Sequence, residues 1–321
     1  MKLLFAGTSD FAVAGLISLA TSGHEIAAVI TRPDAPAGRG RRATPSPVRQ
    51  AAEQRGLTVR TPPNINDVDE VAALAALSPD LMVVAAYGRI LGAPLLSLPR
   101  RGCVNVHGSL LPAWRGAAPV AHALLAGDGV TGVTLMQMDE GLDTGPILAA
   151  AATPISADDH RGELTRRLGV LGAELLEKTL PRLDEGTIVP VAQDSAGATM
   201  APPLRKADGL LDWAAGAEAV LRRVRAFTPE PGAFTYLEGQ RLLVRAVSVL
   251  PRRESGLAVE ARPGILSSPL KNLGVAVCCG EGPAILLKRV QLAGKKEMDA
   301  EAAARGRQLP SGTLLGAPPV R

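Results

Sequence analysis

Aromatic side chains are scarce in this 321-residue chain, which has four Phe, two Tyr and two Trp. A core must therefore be built from Ala, Val and Leu, and a nucleic-acid site cannot rest on a row of stacking rings. Cysteine is sparse as well. Cys103, Cys278 and Cys279 form no CxxC pair, and adjacent cysteines rarely bond to each other. Free buried thiols in a reducing cytoplasm are expected. Four scattered histidines with no HExxH and no Cys/His cluster give no metal-binding pattern, so no metal is expected. Long apolar runs are missing too. The most apolar stretch, Leu81 to Leu98, is broken by Arg89 and Pro94, whereas a membrane span needs about 20 apolar residues. The opening MKLLFAGTSDF carries one Lys and a short apolar run that ends at Asp10, so it reads as a first strand and not as a signal peptide. The dinucleotide fingerprint GxGxxG is also absent. GTSDF, Gly7 to Phe11, resembles a nucleotide-binding turn without it.

What is present is a globular composition, 46% hydrophobic and 21% charged, in a chain long enough for two domains. The first half alternates apolar runs with helical patterns. Leu3–Ala6, Ile26–Ile30, Val59–Arg60, Leu81–Ala86 and Cys103–Val106 read as strands. Helical stretches lie at Phe11–Leu19, around Gln50–Gln54, at Asp69–Leu77 and at Ala117–Leu125. This order predicts an α/β fold with a mostly parallel sheet covered on both faces. Val133–Met138 and Ile147–Ala151 read as two further strands, and Glu163–Leu180 as a long amphipathic helix. The spacing then loses its period. Residues 189–207 read as a linker between a domain at 1–188 and a second at 208–321. The second has one clear helix, Ala217–Arg225, and several short strands divided by turn signals, which predicts a small β-barrel.

The net charge of +4 conceals an uneven distribution. Residues 1–200 hold 17 Lys+Arg against 20 Asp+Glu, while residues 201–321 hold 18 against 11. A basic barrel after an acidic α/β domain raises the prospect of nucleic-acid contact. Residues 30–60 add seven Arg against two acids. Scattered Arg of this kind can equally be a solvated face.

Two segments carry chemistry. In NVHGSLLPAWRGAAP, Asn105 and His107 stand two apart at the end of an apolar strand, so their side chains leave the same face. Ligands of parallel sheets sit beyond the carboxyl ends of strands. A His there can exchange a proton near neutral pH, and an Asn amide can donate to a developing oxyanion. A core His paired with a turn Asn would give the same pattern. In MDEGLDTGP, Asp139, Glu140 and Asp143 crowd a Gly-flanked loop after a strand, where a carboxylate can serve as acid or base or can simply cap a solvated turn.

These two segments resemble the signature of the methionyl-tRNA formyltransferases. The resemblance continues through FAGTSDF, TRPDAPAGRGRRATPSPV, AAYGRIL, PLRKADGLLDW, RVRAFTPEPGAF and KRVQLAGKKE, nearly the whole chain. The Asn–x–His and Asp constellation alone is shared with other folate-dependent formyltransferases. The PAGRG loop and the basic second domain are more discriminating. The resemblance implies a Rossmann-like formyltransferase domain followed by an OB-like tRNA-binding barrel. It implies 10-formyltetrahydrofolate as formyl donor and the α-amino group of methionyl initiator tRNA as acceptor. Asn105, His107 and Asp143 match the catalytic trio. Ser109, Leu110, Leu111 and Pro112 match the folate-contact segment. Arg39, with Arg41 and Arg42 beside it, matches the loop that reaches the tRNA acceptor end. A monomer is expected. The chain departs from the family pattern at Ala113, Pro146 and Glu230, none of which belongs to the trio.

Residues 33–47, rich in Pro, Gly and Arg, read as a mobile loop that orders on RNA. Trp114 and Phe11 stand where a ring could line the pocket or merely pack. Two rivals share many of these features. A formyltransferase for a small amine would keep the trio without needing the Arg loop or the barrel. A non-catalytic RNA-binding protein would need neither Asn105, His107 nor Asp143.

Overall fold

The structure is a computed structural model that describes residues 1–37, 42–258, 260–280 and 282–316. The chain divides into two units interleaved along the sequence. The first comprises Met1–Val120, Gly129–Ile155 and Glu163–Pro203, and the second Ala121–Asp128, Ser156–Gly162 and Leu204–Arg321.

In chain order the elements of the first part are β1 (Lys2–Gly7), α1 (Asp10–Thr21), β2 (Glu25–Ile30), β3 (Ala35–Ala37), β4 (Arg42–Thr44), α2 (Pro47–Glu53), β5 (Val59–Arg60), α3 (Val68–Ala75), β6 (Leu81–Ala85), α4 (Ala93–Leu96), β7 (Cys103–His107), α5 (Pro119–Ala126), β8 (Val130–Gln137), β9 (Ile147–Pro154) and α6 (Arg161–Glu185). Seven strands form one sheet in the order β5-β2-β1-β6-β7-β8-β9. The first five pair in parallel. The last two add antiparallel, β8 on β7 and β9 on β8.

Every residue of β6 is buried, as a central strand covered on both faces requires. Side chains alternate between the faces. Leu4, Ala6, Ala28, Ile30, Met82 and Val84 cluster with Leu74 of α3 and Leu95 of α4. Phe5 points the other way, with its ring against Gly15 of α1. Each fully buried Leu, Ile or Phe contributes about 1.5–3 kcal/mol relative to exposure. The few aromatics are thus no handicap to this core. Helix starts follow local chemistry. Ser46 Oγ accepts from Arg49 N–H at the start of α2, and Pro47 occupies the first turn, where its missing N–H costs nothing. α6 buries Leu164, Leu168, Leu176 and Leu180. A Cβ on Gly172 would lie 2.9 Å from Val106 Cγ1, so glycine allows α6 to approach the sheet.

Two readings gain detail. Within residues 33–47, β3 and β4 pair as an antiparallel hairpin. Arg39 and Arg41 lie outside the described residues, and Arg42 is described by its backbone alone, at the start of β4. Residues 189–203, read as part of a linker, are bonded into the first unit. Val191 exchanges both backbone hydrogen bonds with Ile147, and Ala201 N–H donates to Arg115 O. A segment without period still has to place its backbone donors and acceptors, and here it does so along β9 and the loop after β7.

The second unit contains α7 (Ala217–Phe227), β10 (Ala233–Leu237), β11 (Gln240–Leu250), β12 (Leu266–Leu270), β13 (Gly274–Val277), β14 (Ala284–Leu292), β15 (Met298–Asp299), α8 (Ala300–Arg305) and β16 (Leu315–Gly316). Its sheet runs β12-β13-β14-β11-β10-β16, and all neighbouring pairs are antiparallel. A bridge between Ile265 and Leu314 joins the two ends and closes the barrel. Closure removes the unpaired edges that an open sheet would present.

Candidate active site

Asn105 and His107 lie on β7, two residues apart and on one face. Asp143 lies in the loop between β8 and β9, with a positive φ of 52°. It returns to the same spot. Asn105 Nδ2 donates to Asp143 Oδ1 at 3.1 Å, and His107 Nδ1 stands 3.6 Å from Oδ2. Gly116 N–H also donates to Oδ2, at 2.8 Å. His107 is buried, and its Nε2 lies 2.9 Å from the Trp114 carbonyl. A carbonyl only accepts, so Nε2 carries a proton. Its other nitrogen, Nδ1, faces Asp143 Oδ2. Asn105 keeps a second N–H beyond the one given to Asp143.

Of the three acids in that loop, only Asp143 joins this group. Asp139 Oδ1 accepts from Gly141 N–H and Thr144 Oγ1, which makes it the cap of the turn. Glu140 is exposed.

The Ser109–Pro112 segment is pinned beside the trio. Buried Ser109 donates through Oγ to Ala113 O at 2.6 Å. Thr134 on β8 accepts from Leu111 N–H and donates to Ser109 O. Leu110 and Pro112 remain half-buried, and Leu142, beside Asp143, is exposed. Phe11 is buried, with its ring close to Gly108, which marks it as a packing residue. Trp114 donates its backbone N–H to Thr199 Oγ1.

Nothing in the sequence pattern marks Gln193, which sits in the stretch without period. Its Nε2 donates to Asp143 O at 2.9 Å and to Gly145 O at 2.7 Å. Its Oε1 accepts two hydrogen bonds from the buried Arg115 guanidinium. Arg115 is visible in WRG but has no local partner there to show its purpose.

Cys103, two residues before Asn105, is no nucleophile at neutral pH, because burial pushes its thiol up to about 12. Among the described residues, no group of three His, Cys, Asp or Glu could hold a metal ion. No helix among them is long and apolar enough to cross a membrane.

Against known proteins, the formyl transferase model matches residues 1–180, and the formyl transferase C-terminal domain model matches residues 203–308. The chain belongs to the formyl transferase family. Its relatives narrow that class. It is 47% identical over 316 residues to the methionyl-tRNA formyltransferase of Novosphingobium aromaticivorans, covering 98% of this chain and 100% of that one. It is 48% identical over 318 residues to the methionyl-tRNA formyltransferase of Acidiphilium cryptum, again covering 98% and 100%. Within its family the chain falls among the methionyl-tRNA formyltransferases. Among solved structures, it resembles the N-formyltransferase of Helicobacter canadensis in complex with folinic acid and dTDP-3-aminofucose. The TM-score is 0.65 at 17% identity, over 89% of this chain and 98% of that one. At that identity the likeness concerns the fold.

Proposed function

We propose that this protein transfers the formyl group of 10-formyltetrahydrofolate to the α-amino group of methionyl initiator tRNA, acting in the cytoplasm as a monomer. The full-length likeness to proteins of that name carries the reading. The folate supplies an activated formyl group. Its contact surface is the Ser109–Pro112 segment, where Leu110 and Pro112, with nearby Leu142, offer apolar surface beside polar donors. A flat heterocycle with polar edges suits such a site.

The neutral amine attacks the formyl carbon directly. A new N–C bond forms, and the C–N bond to the folate leaves. The second N–H of Asn105 donates to the negative charge developing on the formyl oxygen, and the protonated ring of His107 redirects its Nε2–H there from the Trp114 carbonyl. Asp143 orients both side chains and takes the proton that the amine sheds, directly or through water. The leaving folate nitrogen gains a proton in turn, so the balance closes without a covalent enzyme intermediate. Arg39, Arg41 and Arg42 meet the acceptor end, and the basic barrel at 208–321 supplies further phosphate contacts.

The deciding experiment is a formylation assay with folate donor and charged initiator tRNA. Formyl-methionyl-tRNA is the expected product. Formylation of a small amine in preference to methionyl-tRNA would overturn the reading, and so would tRNA binding without any turnover.

A further inference from the structure

Apart from Phe11, which packs near Gly108, the GTSDF turn has no part in the site above, although it lies where ligands of parallel sheets bind. In the order β5-β2-β1-β6-β7, the chain runs outward from β1 to β2 and β5 on one side, and crosses to β6 and β7 on the other. The switch point is therefore between β1 and β6, and the crevice beyond the strand ends there is the usual binding place. Three loops meet at this edge, those after β1, β2 and β6. Thr8 Oγ1, after β1, donates to Tyr87 O, after β6, at 3.0 Å.

Two exposed guanidinium groups stand at this junction. Arg32 follows β2 and Arg89 follows β6. They are close. A Cβ on Gly88, whose φ is +75°, would lie 3.7 Å from Arg32 Cζ, and Arg89 is the next residue. Both charges act on the buried Tyr87 phenol, which burial pushes above its ordinary pKa. Neither has an ion pair or hydrogen bond among the described residues. Two acids of the neighbouring segments are already engaged. Asp34 is held by Arg49 at 2.9 Å, and Glu70 accepts two bonds from Arg60 at 2.7 Å. Two like charges thus follow the strands on either side of β1 at a ligand-binding edge, and both act on the same phenol. An oxyanion bound there would be attracted by both, and the planar forks of Arg fit its oxygens bidentately.

We propose that Arg32 and Arg89 form an oxyanion subsite that takes a phosphodiester group of the acceptor RNA end. This rests on the proposed acceptor being a tRNA. The same β2–α2 segment that carries Arg32 also carries Arg39, Arg41 and Arg42, which favours RNA over the carboxylates of a folate tail.

The test uses Arg32→Gln, Arg89→Gln and the double variant. Their tRNA affinity is measured by filter binding across a salt series, and their kinetics are measured with tRNA and donor titrated separately. Each substitution should weaken tRNA binding by roughly 10-fold, as for a lost charge-assisted hydrogen bond. Each should also flatten the slope of log K against log salt by about 1. The KM for the donor should not change, and turnover on methionyl-adenosine, which lacks a phosphodiester, should match wild type. Both side chains are exposed, so melting temperatures should stay level, and Arg32→Lys should recover part of the affinity. Unchanged tRNA affinity and salt slope would overturn the subsite. A rise in donor KM with tRNA affinity intact would also overturn it, in favour of the folate carboxylates. A wild-type protein that binds tRNA through these arginines but formylates nothing would leave the subsite standing and sink the reaction instead.

Discussion

Asp143 is the residue on which the proposed chemistry turns, because both of its oxygens are engaged. Oδ1 takes the Asn105 amide, while Oδ2 takes Gly116 N–H and faces His107. Asp143→Asn would keep the shape but remove the charge and the proton acceptor, and His107→Ala would remove a donor from the developing oxyanion. Each should lower kcat by roughly 10²-fold or more. Single-turnover formylation at saturating folate is the direct measurement, and near-normal turnover in either variant would remove that residue from the mechanism. The thiols should be silent by contrast. Burial pushes Cys103 up to about 12 and Cys279 up to about 11, so both stay protonated at pH 8, where alkylation needs the thiolate. Iodoacetamide should label neither in the native protein and should label both after denaturation. Fast native labelling with loss of activity would contradict this burial.

Segments hold the trio in register. Gln193 ties the 189–203 segment to the Asp143 loop through two carbonyls. Gln193→Ala would leave those carbonyls and the buried Arg115 guanidinium without their partner, and a misplaced carboxylate of even about 1 Å is costly in catalysis. Turnover should fall roughly 10-fold or more while tRNA affinity holds, and a loss in KM alone would argue against a positioning role. At the sheet's other end, Asp80 anchors β1 beside β6. The Lys2 backbone N–H, which donates at 2.8 Å, and the nearby Arg100 hold its carboxyl below the ordinary range. Because the folded pKa is the lower one, the stability contribution is complete above the unfolded carboxylate pKa and fades as pH falls through the folded value. Asp80→Asn should therefore melt at a lower temperature than wild type at pH 7, with the gap closing in acid. A gap that widens in acid would reverse the sign. The element pattern itself was legible. The run from Leu81 onward and the long helix after Glu163 are visible in the apolar pattern because β6 is buried throughout and the helix buries one face. Helix α4 and the β3–β4 hairpin were not, since four residues or two three-residue strands are too short to show a period.

Across the whole molecule, charge separates from chemistry. The acidic first 200 residues hold the candidate site, and the basic remainder holds a closed barrel. Eight aromatic rings in 321 residues leave the proposed recognition of RNA to Arg and Lys. Replacing Arg39, Arg41 and Arg42 together with Ala should weaken tRNA formylation and flatten its salt dependence, leaving donor binding intact. Isothermal titration with the folate and filter binding with the tRNA separate the two effects, and an equal loss of both would deny the loop its role.

The sequence by itself determined what depends on near neighbours. Two-residue spacing put Asn105 and His107 on one face, short apolar runs marked the buried strands, and the order of strand and helix implied a parallel sheet. Motifs across nearly the whole length then identified the family. Residue types alone left Asp139, Glu140 and Asp143 open, and the resemblance picked Asp143; only the tertiary structure set Asp143 against the strand, showed that Gln193 supports it, and brought Arg32 against Gly88 beside Arg89 in the chain. Those outcomes depend on where a chain returns after tens of residues. Loop closure and the pairing of every buried polar group settle that point, and neither leaves a local period to read.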